Sequence, residues 1–414
     1  MVVKKKYRLF NLFKNILNKN FRYIYMSYYN KNRTLMIRNI LEGNNLKSLL
    51  DLDSNETEAF INTSKETDIR DVLEKKILNF SDVINKIGGK LVYVKSGTTG
   101  HTFRGFNPNK PNEPNFAVKI VAYPKRENYG DLNDIRRPEN AELMMLKVLS
   151  YFVMNNQTPH LVLPIGTFNT SIKPFLSLGK NGLVDNKKYS QFIKRYKKGD
   201  LHQEVSVLIS EWADGGDLLE YIKSNYKEMT LKEWRVILFQ IFSALAVIQK
   251  KYPGFRHNDM KANNILIQKI ESRNKNNKFK YKINDQIYII PNIGIQIKLW
   301  DFDFACISGT VENTKVEAEW TDKINVNSGS NRYYDIHYFF NTLSRKGFFP
   351  EFWDAPEISK QVKDFVKRII PEKYQKGKDI AERGRLLVND EYTFPDKVLK
   401  TDIFFNKLRP KNTL

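Results

Sequence analysis

The chain has 414 residues, 41% hydrophobic and 28% charged, the balance of a folded protein with room for one large or two ordinary domains. No run approaches the roughly 18 apolar residues that a membrane span needs, and charge interrupts the basic start too often for a signal-peptide core. Cys306 is the single cysteine, which excludes an internal disulfide or a cysteine-cluster zinc site and points to a reducing, cytosolic or nuclear setting. The net charge of +22 favours polyanionic surroundings such as nucleic acid, anionic lipid or acidic protein segments.

Residues 1–85 read as a basic, then mixed-charge N-terminal extension that is partly helical. Its first 41 residues carry ten Lys or Arg and no acid. Leu9, Phe10, Phe13, Ile16, Leu17 and Phe21 can share one helical face there, a pattern that suits a helix lying on an anionic membrane surface. A helix docked on the rest of the chain and a disordered basic tail that meets nucleic acid are the alternatives. From Leu91 the texture becomes strand-like: LVYV, then FAVKIVAY at 116–123, then VSVLISEW at 205–212. A helix is expected at about 138–154, with Pro138 suited to its first turn. Thr230 and Glu233 form a capping-box pair ahead of Leu231, Trp234, Ile237, Leu238, Ile241, Leu245 and Ile248 at helical spacing. NILI at 264–267 and the alternating IGIQIKLW at 293–300 read as two more strands, and the stretch after Tyr333 as mainly helical. The Asn- and Lys-rich insertions near 168–203 and 268–288 read as surface loops. A strand-rich first part and a helix-rich second part make the fold class α+β, with two lobes and a cleft between them.

Five short segments carry chemistry. In His257-Asn258-Asp259-Met260-Lys261-Ala262-Asn263-Asn264, an acid, a lysine two residues on and an amide five residues on follow a long helix and precede a strand. Phosphoryl transfer needs such a set: a carboxylate for the attacking hydroxyl, a cation for the γ-phosphate and an amide oxygen for a metal. Asp301-Phe302-Asp303 ends a buried strand, where a carboxylate has to face solvent or a cation. Lys119 stands inside an apolar strand and needs a partner, which Glu142 on the following helix is placed to supply; a snorkelling strand-edge lysine is the bland alternative. Gly97 and Gly100, in Ser96-Gly97-Thr98-Thr99-Gly100, could bring backbone N–H groups close to phosphate oxygens, or simply turn a hairpin. Glu211-Trp212-Ala213-Asp214-Gly215-Gly216-Asp217 reads as a hinge offering backbone groups to an adenine edge and Asp217 to a ribose hydroxyl.

In this order the segments resemble the eukaryotic-type serine/threonine protein kinase family over about residues 88–345, and within it the poxvirus-type kinases of large DNA viruses. The finer likeness rests on H-x-D-x-K-x-x-N, then Trp300-Asp301-Phe302-Asp303-Phe304, then Arg332-Tyr333-Tyr334-Asp335-Ile336-His337. The resemblance implies a bilobal fold, with a small β-rich N-lobe over 86–213 ending in the hinge and a larger helical C-lobe over 214–414. It implies transfer of the γ-phosphate of ATP to protein hydroxyls, with Mg2+ (or Mn2+) as cofactor, protein substrates and no obligate partner. Asp259, Lys261 and Asn264 would be catalytic, and Asn264 and Asp301 would hold the metal. Gly97, Gly100, Ala117, Lys119, Glu142, Glu211, Ala213, Asp217, Leu266 and Asp301 would bind the cofactor. Asp335 would brace the catalytic loop. A viral kinase of this type is expected in the host cytoplasm and in virus particles.

Four departures stand out. Lys95 occupies the place of the first loop glycine. Asn258 replaces the arginine that reads a phosphorylated activation loop, so activity should not depend on phosphorylation of 304–331. Asp303 replaces a glycine and should restrict flipping of its triplet. No A-P-E element is found between Asp303 and Tyr333. A pseudokinase or scaffold with a polyanion-binding N-terminal extension is the alternative, opposed by retention of Lys119, Glu142, Asp259, Lys261, Asn264 and Asp301. A small-molecule kinase of the aminoglycoside or choline type is opposed by Lys261.

Overall fold

The computed structural model describes residues 30–43, 46–50, 52, 67–97, 99–111, 113–181, 184, 186–270 and 278–410. The amphipathic pattern at 9–21 and Thr98 of the glycine hairpin lie outside the described residues.

A five-stranded antiparallel sheet forms the first part, built from β1 (Lys90–Ser96), β2 (Gly100–Phe106), β3 (Phe116–Pro124), β4 (Pro164–Ser171) and β5 (Leu201–Glu211) in the order β1-β2-β3-β5-β4. The continuous apolar runs of β3 and β5 suit central strands covered on both faces, whereas β1 is an edge that leaves Val92 and Val94 exposed. The helix Pro138–Met154 begins on a proline whose missing N–H costs nothing in a first turn. Nearly every one of its residues is buried, so it is a core helix rather than a surface amphipath.

The second part is organised around the helix Leu231–Lys251. Thr230 Oγ1 accepts from the Glu233 N–H and the Glu233 carboxylate accepts from the Thr230 N–H, which closes the capping box. Every residue from Trp234 to Gln249 is buried, against the helices Lys360–Ile369 and Pro395–Thr401 and the strand Ile295–Leu299. That strand pairs antiparallel with Ile265–Lys269. The helix Tyr334–Leu343 lies on the same core. One principal apolar cluster runs through both parts. Among the described residues no helix is long and apolar enough to cross a membrane.

Neither polar insertion is a loop throughout. The first holds the end of β4, the start of β5 and the helix Asn186–Lys197, whose Tyr189 and Phe192 are buried against the His101 ring at 5.6 and 4.6 Å. The second contains a hairpin, Lys278–Ile283 with Gln286–Pro291, in which Phe279, Tyr281 and Ile283 alternate inward while lysines face out. Composition misled because a half-buried hairpin needs only every second residue to be apolar.

The described part of the N-terminal extension is packed into this body. Helical backbone at 30–41 buries Ile37, and Leu46, Leu49 and Leu50 follow it into the core. Gly166 of β4 makes room for this segment, since a Cβ there would lie 2.5 Å from Leu46 Cδ2.

Candidate active site

Lys119 projects from β3 between the fully buried Val118 and Ile120. Its Nζ lies 2.7 and 2.9 Å from the Glu142 carboxylate oxygens and 3.1 Å from Asp301 Oδ1. Burial would discharge this ammonium, but the Glu142, Asp301 and Asp303 charges outweigh it and hold the lysine protonated well above its usual range. Burial would likewise raise the Asp301 carboxyl. Lys119, by charge and hydrogen bond, with His257 and Lys261 behind it, brings it down to about 2. A cation thus joins the sheet, the Pro138–Met154 helix and the end of the Ile295–Leu299 strand.

The Asp259 loop is held from below. Asp335, at the start of the Tyr334–Leu343 helix, accepts the N–H of His257 at 2.7 Å on one oxygen and that of Asn258 at 2.9 Å on the other. His257 Nε2 lies 3.0 Å from the Trp300 carbonyl and so ties this loop to the Asp301 turn. Asp259 Oδ2 accepts from Lys261 Nζ at 2.8 Å and Asn264 Nδ2 at 3.0 Å, and Asn264 Nδ2 also reaches the Asp259 carbonyl at 2.9 Å. Asp259 Oδ1 accepts from Arg385 Nη2 at 2.6 Å.

Asn258 and Asp301 both adopt left-handed backbone, with φ of 62° and 67°. Asparagine and aspartate tolerate that region best among residues with a Cβ. The strain aims the Asn258 amide at the segment 304–331, where Nδ2 donates to the carbonyls of Phe304 and Asn327, both at 3.1 Å. Arg256, buried beside it with its guanidinium 3.8 Å from the Tyr334 ring centre, donates to Asn327 Oδ1, the Gly329 carbonyl and the Asn325 carbonyl. Asn313 Nδ2 spans the Asp303 and Ala305 carbonyls at 3.0 and 3.2 Å, and Lys315 forms an ion pair with Asp303.

At the hinge, Glu211 turns its carboxylate away to Arg33, leaving backbone as its contribution to any ligand. Asp217 Oδ1 caps the helix Leu218–Asn225 by accepting from the Glu220 N–H at 2.9 Å, which competes with the ribose role read from the sequence. Ala213 is buried, and Leu266 bridges Asp217 across the hinge. Ala117 sits on the Lys119 face of β3, two residues away, opposite Ser210. Gly97 and Gly100 close the β1–β2 hairpin through Gly97 N–H to the Gly100 carbonyl at 2.8 Å. Space forces only the second glycine: a Cβ on Gly100 would lie 1.9 Å from the Ile120 carbonyl, so strand packing explains it, while Gly97 is open.

Asn264 and Asp301 offer what a hard divalent cation needs. Asn264 turns its NH2 to Asp259, and no protein hydrogen bond among the described residues takes Asn264 Oδ1 or Asp301 Oδ2. Asp301 keeps 40% of its side chain exposed and is ionised. Two oxygen donors leaving room for phosphate and water match the way Mg2+ is usually held, and the described residues contain no competing cluster of His, Cys, Asp and Glu.

The profile of the poxvirus serine/threonine protein kinase family matches residues 131–408. The chain belongs to that family. A mimivirus relative from Acanthamoeba polyphaga mimivirus, named as a serine/threonine-protein kinase, is 48% identical over 387 residues, covering 92% of this chain and 80% of its own. A second mimivirus protein so named is 29% identical over 259 residues, 54% of this chain and 62% of the relative. Serine/threonine-protein kinase 2 of monkeypox virus is 27% identical over 231 residues, 52% of this chain and 44% of its own. In this family member, sequence motifs brought together Lys119, Glu142, Asp259, Lys261, Asn264 and Asp301. They did not point to Arg33, Asn313 or Arg385, which reach the site from distant segments that carry no motif; a tight glycine turn at Gly384 was the one local signal beside Arg385.

Proposed function

We propose that the chain is an active protein kinase that transfers the γ-phosphate of ATP to serine or threonine hydroxyls of protein substrates. The observation that carries the reading is Lys119, held charged between Glu142 and Asp301, whose turn is tied to the Asp259 loop by His257 Nε2 at 3.0 Å from the Trp300 carbonyl. A bilobal layout with the nucleotide between the sheet and the helical part follows from it.

The division of labour is direct. Lys119 contacts the α- and β-phosphates, and the hinge backbone of Glu211 and Ala213 meets the adenine edge. Asp259 orients the attacking hydroxyl and takes its proton as the oxygen–γ-phosphorus bond forms and the bond to the β-γ bridging oxygen breaks, so ADP leaves. Lys261, two residues beyond, leaves Asp259 to steady the γ-phosphate; its presence also supports serine/threonine over other acceptors. Mg2+ (or Mn2+), held by Asn264 and Asp301, would neutralise charge on the phosphate oxygens.

Incorporation of label from γ-labelled ATP into casein or histone tests this. Wild type should label serine or threonine, EDTA should stop it, and Asp259→Ala should lose at least about a hundredfold in rate. A wild type without incorporation, or an Asp259→Ala protein of equal rate, would overturn it in favour of a scaffold.

A further inference from the structure

The segment Ala381-Glu382-Arg383-Gly384-Arg385-Leu386-Leu387 is a tight loop that ends in the site. The Gly384 N–H donates to the Ala381 carbonyl and the Ala381 N–H to the Arg385 carbonyl, both at 2.8 Å. Gly384 has φ of 90°, and a Cβ there would press on Asn341 at 3.0 Å, so the turn requires glycine. Leu386, fully buried, and its bridge to Ile380 pin the far side.

The turn aims Arg385 along the Tyr334–Leu343 helix. Its guanidinium lies 4.0 Å from the Tyr338 ring centre and 3.4 Å from the Tyr334 hydroxyl. Beyond the rings, Nη1 donates to the Asn258 carbonyl and Nη2 to Asp259 Oδ1 at 2.6 Å, with both side chains about nine-tenths buried (9% and 11% exposed). The helix that holds the loop's N–H groups through Asp335 therefore also holds its carboxylate, through an arginine stacked on it.

Counting lone pairs makes the point sharper. A carboxylate has about four acceptor positions. Lys261 and Asn264 occupy Oδ2, and Arg385 takes one position on Oδ1, leaving the other open. In the kinase reading, Lys261 leaves for the γ-phosphate during turnover. Arg385 cannot follow it, because its other arm is fixed on Asn258 and its face on Tyr338.

We propose that Arg385 is the positioning residue of Asp259: it fixes the carboxylate so that one Oδ1 lone pair faces the substrate hydroxyl, and it remains when Lys261 departs. This inference rests on the kinase reading above. It assigns catalytic weight to the C-terminal loop that carries Arg385.

The test measures kcat and KM for ATP in full-length Arg385→Gln, Arg385→Lys, Asp259→Asn and the Arg385→Gln/Asp259→Asn double variant. Arg385→Gln should lose about a hundredfold in kcat with KM for ATP near wild type and a lowered melting temperature, since a buried pair is broken, and Arg385→Lys about tenfold in kcat. In the Asp259→Asn background the glutamine change should add nothing, since its target is gone. An Arg385→Gln kcat within about threefold of wild type, a rise in kcat, or a full further loss in the double variant overturns the proposal. Should the glutamine variant fail to fold, the lysine variant decides: a tenfold loss at unchanged KM supports it, and wild-type kcat overturns it. A wild type that transfers no phosphate overturns the kinase reading and this inference with it; an active wild type indifferent to Arg385 overturns this inference alone.

Discussion

Arg33 grips Glu211 through two parallel hydrogen bonds, Nε to Oε1 at 2.7 Å and Nη2 to Oε2 at 2.6 Å, across 178 residues of chain. Glu211 also accepts the Leu163 N–H at 2.8 Å, and Arg33 reaches the Leu161 carbonyl at 2.6 Å. The N-terminal helix thereby fixes the residue whose backbone begins the hinge. Both side chains are largely buried, so removing one strands a charge on the other. Arg33→Ala should cost about 3–5 kcal/mol in denaturant unfolding and raise KM for ATP more than it lowers kcat. Burial by itself would raise the Glu211 carboxyl, but Arg33, Lys298 and the Leu163 N–H hold it below its usual value. The pair's stabilisation is therefore complete above the ordinary carboxylate range and is lost as pH falls through the depressed value.

Phosphatase treatment should leave activity unchanged. The segment 304–331 is held by uncharged amides, Asn258 on Phe304 and Asn327, and by Arg256 on Asn325, Asn327 and Gly329, with no phosphate needed. Asn258→Ala loses these bonds and places a residue without a polar side chain at positive φ. It should lose about tenfold or more in kcat, and phosphorylation should not restore it. Activity that vanishes with phosphatase and returns on rephosphorylation within 304–331 would contradict this account.

Asp303→Gly should loosen the Asp301 turn. Lys315 holds the Asp303 carboxylate while packing 3.9 Å from the Phe304 ring centre, and Asn313 holds the Asp303 carbonyl. Glycine removes the ion pair and adds backbone freedom. Hydrogen exchange at residues 301–306 should quicken in the nucleotide-free variant relative to wild type. Equal protection in the two proteins would show that Asp303 does not restrain the turn.

Acid should destabilise the fold through three buried histidines, against a smaller opposing contribution from Glu139, whose carboxyl burial pushes up to about 7. Burial pushes His101 down to about 4 and His160 and His337 to about 3. The hydrogen bonds agree with neutral rings: His160 lies between the Ile297 carbonyl and the Tyr281 hydroxyl, and His337 Nε2 meets the Asn341 NH2. The unfolded chain takes up these protons near pH 6.5 while the folded chain refuses them. Stability therefore rises with pH across this window and falls below it, by about 1.4 kcal/mol per pH unit for each histidine. Melting temperature should drop between about pH 7 and 5, and His337→Gln should flatten that slope. A slope unchanged by the substitution would remove His337 from the account.

What the sequence made legible was local. Period and caps located the Pro138–Met154 and Leu231–Lys251 helices, because a proline start or a capping box is written in neighbouring residues. Lys119 announced its need for an acid, since charge inside an apolar strand demands a partner. The insertions were misread because alternating lysine and aromatic residues resemble a polar loop until one face is covered. Arg33 and Arg385 were invisible for another reason. Their significance lies in a carboxylate 178 or 126 residues away, and no spacing rule reaches that far.

Cys306 lends the molecule a built-in reporter. It is the sole thiol of the chain, fully buried, within 3.5 Å of Asn258 Nδ2 and pushed by burial up to about 12. A thiol so protected reacts with alkylating reagents only while the segment covering it is open. The rate of alkylation of unlabelled wild-type protein is thus a clock for the opening of 304–331, readable by intact mass without introducing a probe, and a ligand or variant that tightens that segment will slow it.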